Sequence, residues 1–369
     1  MFGTALISIC TFMHVYVFWR IASVPFICRH VPLKALIGTG VILWTVFFLG
    51  RIIGHGRMGN LAGILEFAGM TWMAILFLIF TALLFIDLVT FFGFLMPSLS
   101  PSLRGWALLA GLGLSVIALV QGLRPPVIEK YEVSLPGLPD ALDGTVLVAV
   151  SDMHLGSQIG ESWLAARIGQ IKAQHPDMVV LLGDIFEGHG PPEDRLIATF
   201  QQLTAPLGIF AVSGNHEFYG GGGMNLLNKA GFRLLNNEWR EVRPGFVLAG
   251  VEDLTTRSRN GQGGAPVSQA LAGRPPGAAI LLSHTPWESG KAAKAGVGLM
   301  LCGHTHGGQI WPLGYLFRNR YPLFEGRYDV DGMTVIVCRG TGTWGPRMRL
   351  WRPGVILRVT LRVVKKDLP

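Results

Sequence analysis

The first third of the chain consists of long apolar stretches separated by short polar pieces. The stretch Phe67–Ile86 contains no charged residue. A helix needs roughly 20 mainly apolar residues to cross the hydrocarbon core of a bilayer. The pattern therefore predicts four membrane-spanning helices, at Leu6–Phe26, Ala35–Ile53, Phe67–Ile86 and Trp106–Leu123.

After Arg124-Pro125-Pro126 the pattern changes to short apolar runs, rich in Val and Ile, that are typical of buried strands. The predicted strands are Val146–Ser151, Met178–Leu182, Gly208–Ser213, Phe246–Val251, Ala278–Ser283, Gly298–Cys302, Met333–Cys338 and Val355–Leu361. Helical patterns at Glu161–Gln174 and Pro192–Leu203 separate the early strands, and Gly220–Gly223 and Arg257–Gly264 are predicted to be flexible loops. We predict a helical membrane anchor over residues 1–124, followed by an α/β/β/α sandwich over residues 125–369.

The composition changes at the same point in the chain. Residues 1–124 hold 7 Lys and Arg and 2 Asp and Glu, and the whole chain is 50% hydrophobic and 15% charged. This is too apolar for an ordinary soluble protein. We expect a multi-pass protein of the cell (cytoplasmic) membrane, with no cleaved signal peptide because the first basic residue is Arg20 and more spans follow. Basic residues flank the spans too evenly to predict on which side the later domain lies.

The net charge of +8 is compatible with nucleic acid or with anionic lipid as a partner. No DNA- or RNA-binding motif occurs, so we expect membrane lipids and no specific nucleic acid, and nothing indicates a protein partner. Cys10 and Cys28 are assigned to the first span, and Cys302 and Cys338 end two later runs. Because no CxxC spacing occurs, neither a structural zinc site nor a disulfide framework is expected.

Polar residues follow five of the predicted strands, each just past the carboxyl end of an apolar run. They are Asp152 and His154, Asp184, Asn215 and His216, His284, and His304 and His306. Ligand sites in α/β sheets lie outside those strand ends, so distant residues can converge on one pocket. Asp, His and Asn suit divalent cations, with Mn²⁺ as the first candidate and Fe or Zn²⁺ as alternatives. Seven donors exceed the need of one ion, which predicts a site for two ions.

The blocks Asp152-Met153-His154, Gly183-Asp184, Gly214-Asn215-His216-Glu217, His284 and Gly303-His304-Thr305-His306 resemble the ordered motifs of calcineurin-like metallophosphoesterases. The resemblance covers about residues 130–360. The form GHTHGGQ at Gly303–Gln309 is similar to a bacterial branch that includes YkuE, YaeI and UDP-2,3-diacylglucosamine pyrophosphatases.

The resemblance implies a role for each residue of these blocks. Asp184 would bridge two ions, and His216 would bind the phosphoryl oxygen or protonate the leaving group, with metal-bound hydroxide as the nucleophile. One ion would be held by Asp152, His154, Asp184 and His306. The other would be held by Asp184, Asn215, His284 and His304.

Two positions depart from the family pattern. Glu187 stands where the family's GDxxD block has its second Asp, and Gly354 stands where close relatives often carry an acidic residue. Neither position is an expected ligand, and Glu187 is expected to orient groups around the ligands.

Other polar residues have weaker functional interpretations. Asp87 is either a functional carboxylate within the membrane or marks a helix end. An arginine-rich segment after the GHTH block holds candidates for binding a second phosphate or a headgroup, with Arg339 first among Arg318, Arg320, Arg327, Arg339, Arg347, Arg349 and Arg352. The remaining histidines are expected to be packed or interfacial: His14, His30, His55, His175 and His189.

These observations favour metal-dependent hydrolysis of a phosphodiester or pyrophosphate in a membrane-associated substrate. A lipid-linked nucleotide such as UDP-diacylglucosamine is one candidate substrate. One alternative is a broad-specificity phosphatase or nuclease that the helices merely tether. Another is a non-catalytic membrane sensor that binds metal.

Overall fold

The computed structural model describes residues 2–54, 60–187, 194–219 and 223–364. The chain divides into a helical unit, Met1–Arg124 with Gly345–Trp351, and a sandwich unit, Pro125–Trp344 with Arg352–Pro369. The prediction that residues 1–124 and 125–369 are separate domains stays a prediction. His55 and His189 lie outside the described residues.

Among the described residues, the helices of the helical unit are α1 (Phe2–Ile21), α2 (Pro25–His30), α3 (Leu33–Leu49), α4 (Asn60–Val89) and α5 (Ser100–Leu123). A π-helical turn, Gly50–Gly54, continues α3. Within the described residues, four helices are long and apolar enough to cross a membrane, in agreement with the predicted number. Residues 345–351, which come much later in the sequence, also belong to the helical unit. There the Trp351 backbone N–H donates to Gln121 Oε1 at 2.8 Å.

Two details of the predicted spans were wrong. The first span ends at Ile21, so Cys28 lies in the separate helix α2. Helix α5 begins at Ser100 and not at Trp106, which places Arg104 inside the helix and buried. Arg104 can be buried because Asp87, inside α4, compensates the charge of its guanidinium: Asp87 Oδ1 lies 2.9 Å from Arg104 Nη2. His14 is packed as expected, with Nε2 3.0 Å from Gly40 O, whereas His175 is exposed.

The sandwich unit contains two six-stranded sheets. The first has the strand order β1 (Val127–Leu135), β12 (Val355–Val363), β2 (Val146–Val150), β3 (Met178–Leu182), β4 (Ile209–Val212) and β5 (Arg233–Leu234). The second has the order β10 (Gly326–Val330), β11 (Met333–Val337), β9 (Leu299–Cys302), β8 (Ala278–Leu282), β7 (Phe246–Gly250) and β6 (Glu238–Arg243). Strands β2, β3 and β4 run parallel, as do β7, β8 and β9.

A continuous apolar core lies between the two sheets and includes Leu147, Val180, Leu248 and Leu301. The outer face of the first sheet packs against α6 (Glu161–Lys172), α7 (Asp194–Phe200) and α8 (Gly223–Lys229). The outer face of the second packs against α9 (Leu254–Arg259), α10 (Pro266–Leu271) and α11 (Ser289–Lys294), and α12 (Gly314–Phe317) follows β9. The predicted α/β/β/α sandwich is confirmed.

All eight predicted strands are present, and four further strands were missed. β1, β6 and β10 alternate exposed and partly buried residues and contain several charges, so they lack the apolar runs that identified the others. The stretch Arg257–Gly264 was predicted to be a loop, but α9 extends to Arg259. The Asp253 side chain accepts from Thr256 N–H at 2.6 Å and caps this helix, a start signal that the prediction overlooked.

Candidate metal centre

The predicted site residues lie just past the carboxyl ends of parallel strands from both sheets. Asp152 and His154 follow β2, Asp184 follows β3, and Asn215 and His216 follow β4 in the first sheet; His284 follows β8, and His304 and His306 follow β9 in the second. Each of these side chains is buried or half-buried. The convergence expected from the strand ends is therefore present within the sandwich unit.

The first donor group contains Asp152, His154 and His306, whose ligand atoms lie within 4.8 Å of one another. His306 Nε2 is 3.3 Å from Asp152 Oδ1 and 3.2 Å from His154 Nε2. His154 Nδ1 lies 2.8 Å from Glu187 Oε2, and a carboxylate there requires Nδ1 to be the donor. The lone pair of His154 is thus on Nε2, where it faces the group. Glu187 orients a candidate ligand in the way the sequence predicted.

The second donor group contains Asp184, His284 and His304, again within 4.8 Å. His284 Nε2 is 3.2 Å from Asp184 Oδ2 and 3.0 Å from His304 Nδ1. His284 Nδ1 donates to Leu182 O at 2.8 Å, so Nε2 is the nitrogen that faces the other two residues. Both groups therefore bring histidine nitrogen and carboxylate oxygen together, the donor set of a divalent transition metal.

Asp184 connects the two groups. Its carboxylate also forms a third candidate set with His154 and His216, and the His216 backbone N–H donates to Asp184 Oδ1 at 2.8 Å. His216 Nδ1 donates to the Glu187 carbonyl oxygen at 3.1 Å, which leaves Nε2 4.0 Å from Asp184 Oδ2. This position suits either a further ligand or a proton donor at the edge of the centre.

Asn215 provides the sharpest test of whether the site fits a cation. Its Nδ2 donates to Tyr219 Oη at 2.8 Å, but its buried Oδ1 has no hydrogen-bond partner among the described residues. A buried polar atom without a partner is costly and rare in native proteins. A metal ion next to this oxygen would satisfy it, so the residues fit the predicted cations.

The backbone is strained at the same residues. Asp152, His154, Asp184, His304 and His306 all have φ between 50° and 73°, a left-handed conformation that non-glycine residues seldom adopt. Each such residue costs on the order of 1–3 kcal/mol, and such residues cluster at functional sites. Gly183, with φ 85°, has no room for a side chain because a Cβ would lie 2.5 Å from Gly214 N.

Glu217 is a supporting residue to which the sequence prediction assigned no role. Its buried carboxylate accepts from the backbone N–H groups of Asp184, Ile185, Phe186 and Gly214 at 2.7–3.2 Å. It thereby joins the loop after β3 to the loop after β4. The available signal was an acidic residue directly after two candidate site residues, Asn215 and His216.

Burial and neighbouring charges shift the pKa values of the candidate ligands. Burial raises the pKa of Asp152. Burial has the same tendency at Asp184, but His284 and His216 hold the pKa of that carboxyl well below its usual value. Burial, together with the neighbouring His284, lowers the pKa of His304 to about 3. Asp184 is therefore ionised and His304 neutral near neutral pH, which are the forms that bind metal.

Arg339, the first candidate for binding a second phosphate, is engaged elsewhere. Its guanidinium pairs with Glu129 at 3.1 Å and lies 3.9 Å from Glu325. Glu325 also pairs with Arg352 at 3.1 Å. These carboxylates compensate the charges of both arginines. Arg339 therefore pairs with acidic side chains, where the sequence had favoured it for binding a second phosphate.

The two sheets and their outer helices form a four-layer sandwich, and the candidate metal ligands lie at its strand ends. Residues 145–308 match the family model described as calcineurin-like phosphoesterase. An uncharacterized metallophosphoesterase of Aquifex aeolicus is 35% identical over 240 residues, which are 64% of this chain and 91% of that protein. The chain therefore belongs to the calcineurin-like phosphoesterase family.

Two further relatives bear on the helices and on the predicted branch. A protein of Danio rerio named "Transmembrane protein with metallophosphoesterase domain" is 33% identical over 270 residues, 69% of this chain. The chain spans 62% of the length of that relative. The uncharacterized metallophosphoesterase YkuE of Bacillus subtilis is 28% identical over 264 residues, 65% of this chain and 87% of that protein. The similarity to YkuE is confirmed, and the similarity to the UDP-2,3-diacylglucosamine pyrophosphatases stays a prediction.

Proposed function

We propose that the chain hydrolyses a phosphodiester or pyrophosphate bond in a membrane-associated substrate. The observation that carries the proposal is the pair of donor groups that share Asp184, beside the unsatisfied Oδ1 of Asn215. The four apolar helices on the same chain support an amphiphilic substrate, such as a lipid-linked nucleotide, and a location in the cell membrane.

In this proposal Asp184 would contribute to both of two ions, of which manganese is the first candidate. Asp152, His154 and His306 would hold the first ion with it, and Asn215, His284 and His304 the second. Two bound divalent cations supply Lewis acidity toward the phosphoryl oxygens and lower the pKa of water. The protein holds these ligands in place through Glu187 and Glu217, and the buried pocket limits access of bulk water.

His216 is the proposed proton donor. The Glu187 carbonyl oxygen fixes the orientation of its ring, and Nε2 points toward Asp184 at 4.0 Å. The imidazolium form can bind a phosphoryl oxygen through Nε2 and then transfer that proton to the leaving alkoxide. The position of His216 beside Asp184 supports this role.

The test compares one soluble and one lipid-linked substrate. The full chain, in nanodiscs and with Mn²⁺ supplied, is assayed on bis(4-nitrophenyl) phosphate and on a diacyl-lipid-linked pyrophosphate. We expect a kcat/KM at least tenfold higher for the lipid-linked substrate, and loss of both activities with EDTA. Equal values would favour a tethered phosphoesterase of broad specificity, and bound metal without turnover of either substrate would favour a sensor.

A further inference from the structure

Two arginines of the sandwich unit, Arg259 and Arg320, lie beside the candidate metal ligands without an acidic partner. Neither guanidinium is within 4.0 Å of a carboxylate in the described parts of the chain. Arg257 and Arg352 of the same unit differ in this respect, since Arg257 pairs with Glu252 and Arg352 with Glu325. Both Arg259 and Arg320 are exposed, and each contacts a side chain that leads to a candidate ligand.

Arg259 is held over the Asn215 side of the centre. It is the last residue of α9, and its Nη1 donates to Tyr219 Oη at 2.8 Å. The same phenol oxygen accepts from Asn215 Nδ2 at 2.8 Å. Two hydrogen bonds therefore separate the guanidinium from a candidate metal ligand. Because α9 is capped by Asp253, the position of Arg259 is set by a short, fixed helix rather than by a loop.

Arg320 is held over the His304 side. Its guanidinium carbon lies 4.3 Å from the ring centroid of Trp287, and Trp287 stacks on Tyr321 with centroids 5.7 Å apart and an interplanar angle of 13°. Tyr321 Oη lies 2.8 Å from His304 Nε2. An aromatic pair thus links this second guanidinium to a candidate ligand.

The two arginines have neutral partners: Arg259 donates to the Tyr219 phenol, and Arg320 lies over the Trp287 ring. A guanidinium whose partners are a phenol or an aromatic ring keeps N–H donors free for an anion, and its planar fork matches two phosphate oxygens. Such donors suit a phosphoryl group other than the one that the candidate metal ligands would hold.

We propose that Arg259 and Arg320 bind a second, non-reacting phosphoryl group, so that the preferred substrate is a pyrophosphate diester rather than a diester of a single phosphate. This inference rests on the proposed function, because it assigns the reacting phosphate to the metal centre. It also selects between the two bond types that the sequence left open.

The test measures substrate preference in the full-length, Mn²⁺-loaded protein. The substrates are P1,P2-diphenyl pyrophosphate and bis(4-nitrophenyl) phosphate, and the readout is the ratio of their kcat/KM values. We expect Arg259→Gln and Arg320→Gln each to lower the preference for pyrophosphate by tenfold or more, mainly through KM. Arg259→Lys should retain part of the preference because it keeps the charge. Arg240→Gln, at an exposed arginine of β6, is the matched control and should leave the ratio unchanged.

Three outcomes would overturn the inference: an unchanged ratio in both glutamine variants, an equal loss on both substrates, or a loss that tracks reduced metal content. Failure of the wild type to hydrolyse either substrate would instead contradict the proposed function. In that case calorimetric titration with methylenediphosphonate and methylphosphonate decides the inference separately. Weaker binding of only the bisphosphonate by Arg259→Gln would support it, and equal binding by variant and wild type would refute it.

Discussion

Two regions of this molecule bury clusters of charged and polar side chains, and they do so in opposite ways. In the helical unit, the fully buried carboxylate of Asp87 accepts from Tyr16 Oη at 2.5 Å and pairs with Arg20 at 2.6 Å and Arg104 at 2.9 Å. The cluster links α1, α4 and α5. Within it, both carboxylate oxygens are engaged by protein groups.

The candidate metal centre of the sandwich unit is an open cluster by comparison. Asn215 Oδ1 lacks a hydrogen-bond partner among the described residues, and the Nε2 atoms of His154 and His284 face His306 Nε2 and Asp184 Oδ2. Left-handed backbone holds several of these donors in place. A buried carboxylate paired with cationic side chains is already compensated, whereas a buried carbonyl oxygen without a donor is a position for a cation. Burial of polar groups alone does not distinguish the two.

The largest effect is expected when the bridging residue of the open cluster is removed. Asp184→Ala should abolish hydrolysis and the binding of two metals per chain, because two neighbouring cations would lose the charge that offsets their repulsion. Metal content by mass spectrometry and turnover of a chromogenic diester are the measurements. Asp143→Ala, at an exposed carboxylate paired with Arg362, is the control. Two retained metals with activity within tenfold of wild type would contradict the dinuclear assignment.

The second prediction separates a proton donor from a ligand at the edge of the open cluster. His216→Gln should keep both metals and substrate binding but lower kcat by about 10²–10⁴-fold, the usual range for loss of a general acid. Metal content, KM and kcat are measured on the same preparation. Loss of metal as the main effect would make His216 a ligand, which its grouping with His154 and Asp184 also permits.

The third prediction tests the closed cluster. Asp87→Asn leaves Arg20 and Arg104 without a buried counter-charge, and breaking such a pair costs about 3–5 kcal/mol. Unfolding in detergent should reveal this loss of stability, with Tyr16→Phe as a milder variant that removes one hydrogen bond. The folded fraction should still bind two metals per chain. Loss of metal without loss of stability would mean that Asp87 is a functional carboxylate, the alternative that the sequence raised.

The candidate ligands could be named from the sequence because each one directly follows an apolar run. Strand ends are local features, and eight residue identities at five strand ends suffice to indicate a metal site. The supporting residues depend on contacts that no local pattern encodes. Glu217 supports the site because four N–H groups from two loops donate to its carboxylate. Arg259 lies near the site because helix α9 places it in hydrogen-bond contact with Tyr219.

The same limit explains the errors in the helical unit and in the arginine-rich segment. The predicted span began at Trp106 and left Arg104 outside the helix, because nothing in the local sequence showed that Asp87 would compensate the charge of Arg104. Arg339 follows a strand, as the candidate ligands do, but the carboxylate of Glu129 on β1 pairs with Arg339. Gly354 departs from the family pattern at a position where a Cβ would lie 2.8 Å from Thr341 O, so this backbone leaves no room for an acidic side chain.

The smallest expected effect concerns the other departure from the family pattern, Glu187, and it tests how far the open cluster depends on its surroundings. Glu187 Oε2 lies 2.8 Å from His154 Nδ1 and fixes the ring whose Nε2 faces the donors. Glu187→Gln keeps the length but removes the charge, and Glu187→Asp keeps the charge but withdraws it by one methylene.

Loss of such an outer partner weakens metal binding by about 10–100-fold. Both Glu187 variants should therefore raise the Kd for Mn²⁺ in titrations of the metal-free protein, and His216→Gln should not. Because this chain reaches His154 with the longer side chain, we expect Glu187→Asp to be no better than Glu187→Gln, although Asp is the family residue. A Kd within twofold of wild type for both variants would show that the strained backbone alone positions His154. Restored or improved affinity in Glu187→Asp would show that the loop after β3 adjusts to the shorter side chain, so that the departure has no cost of its own.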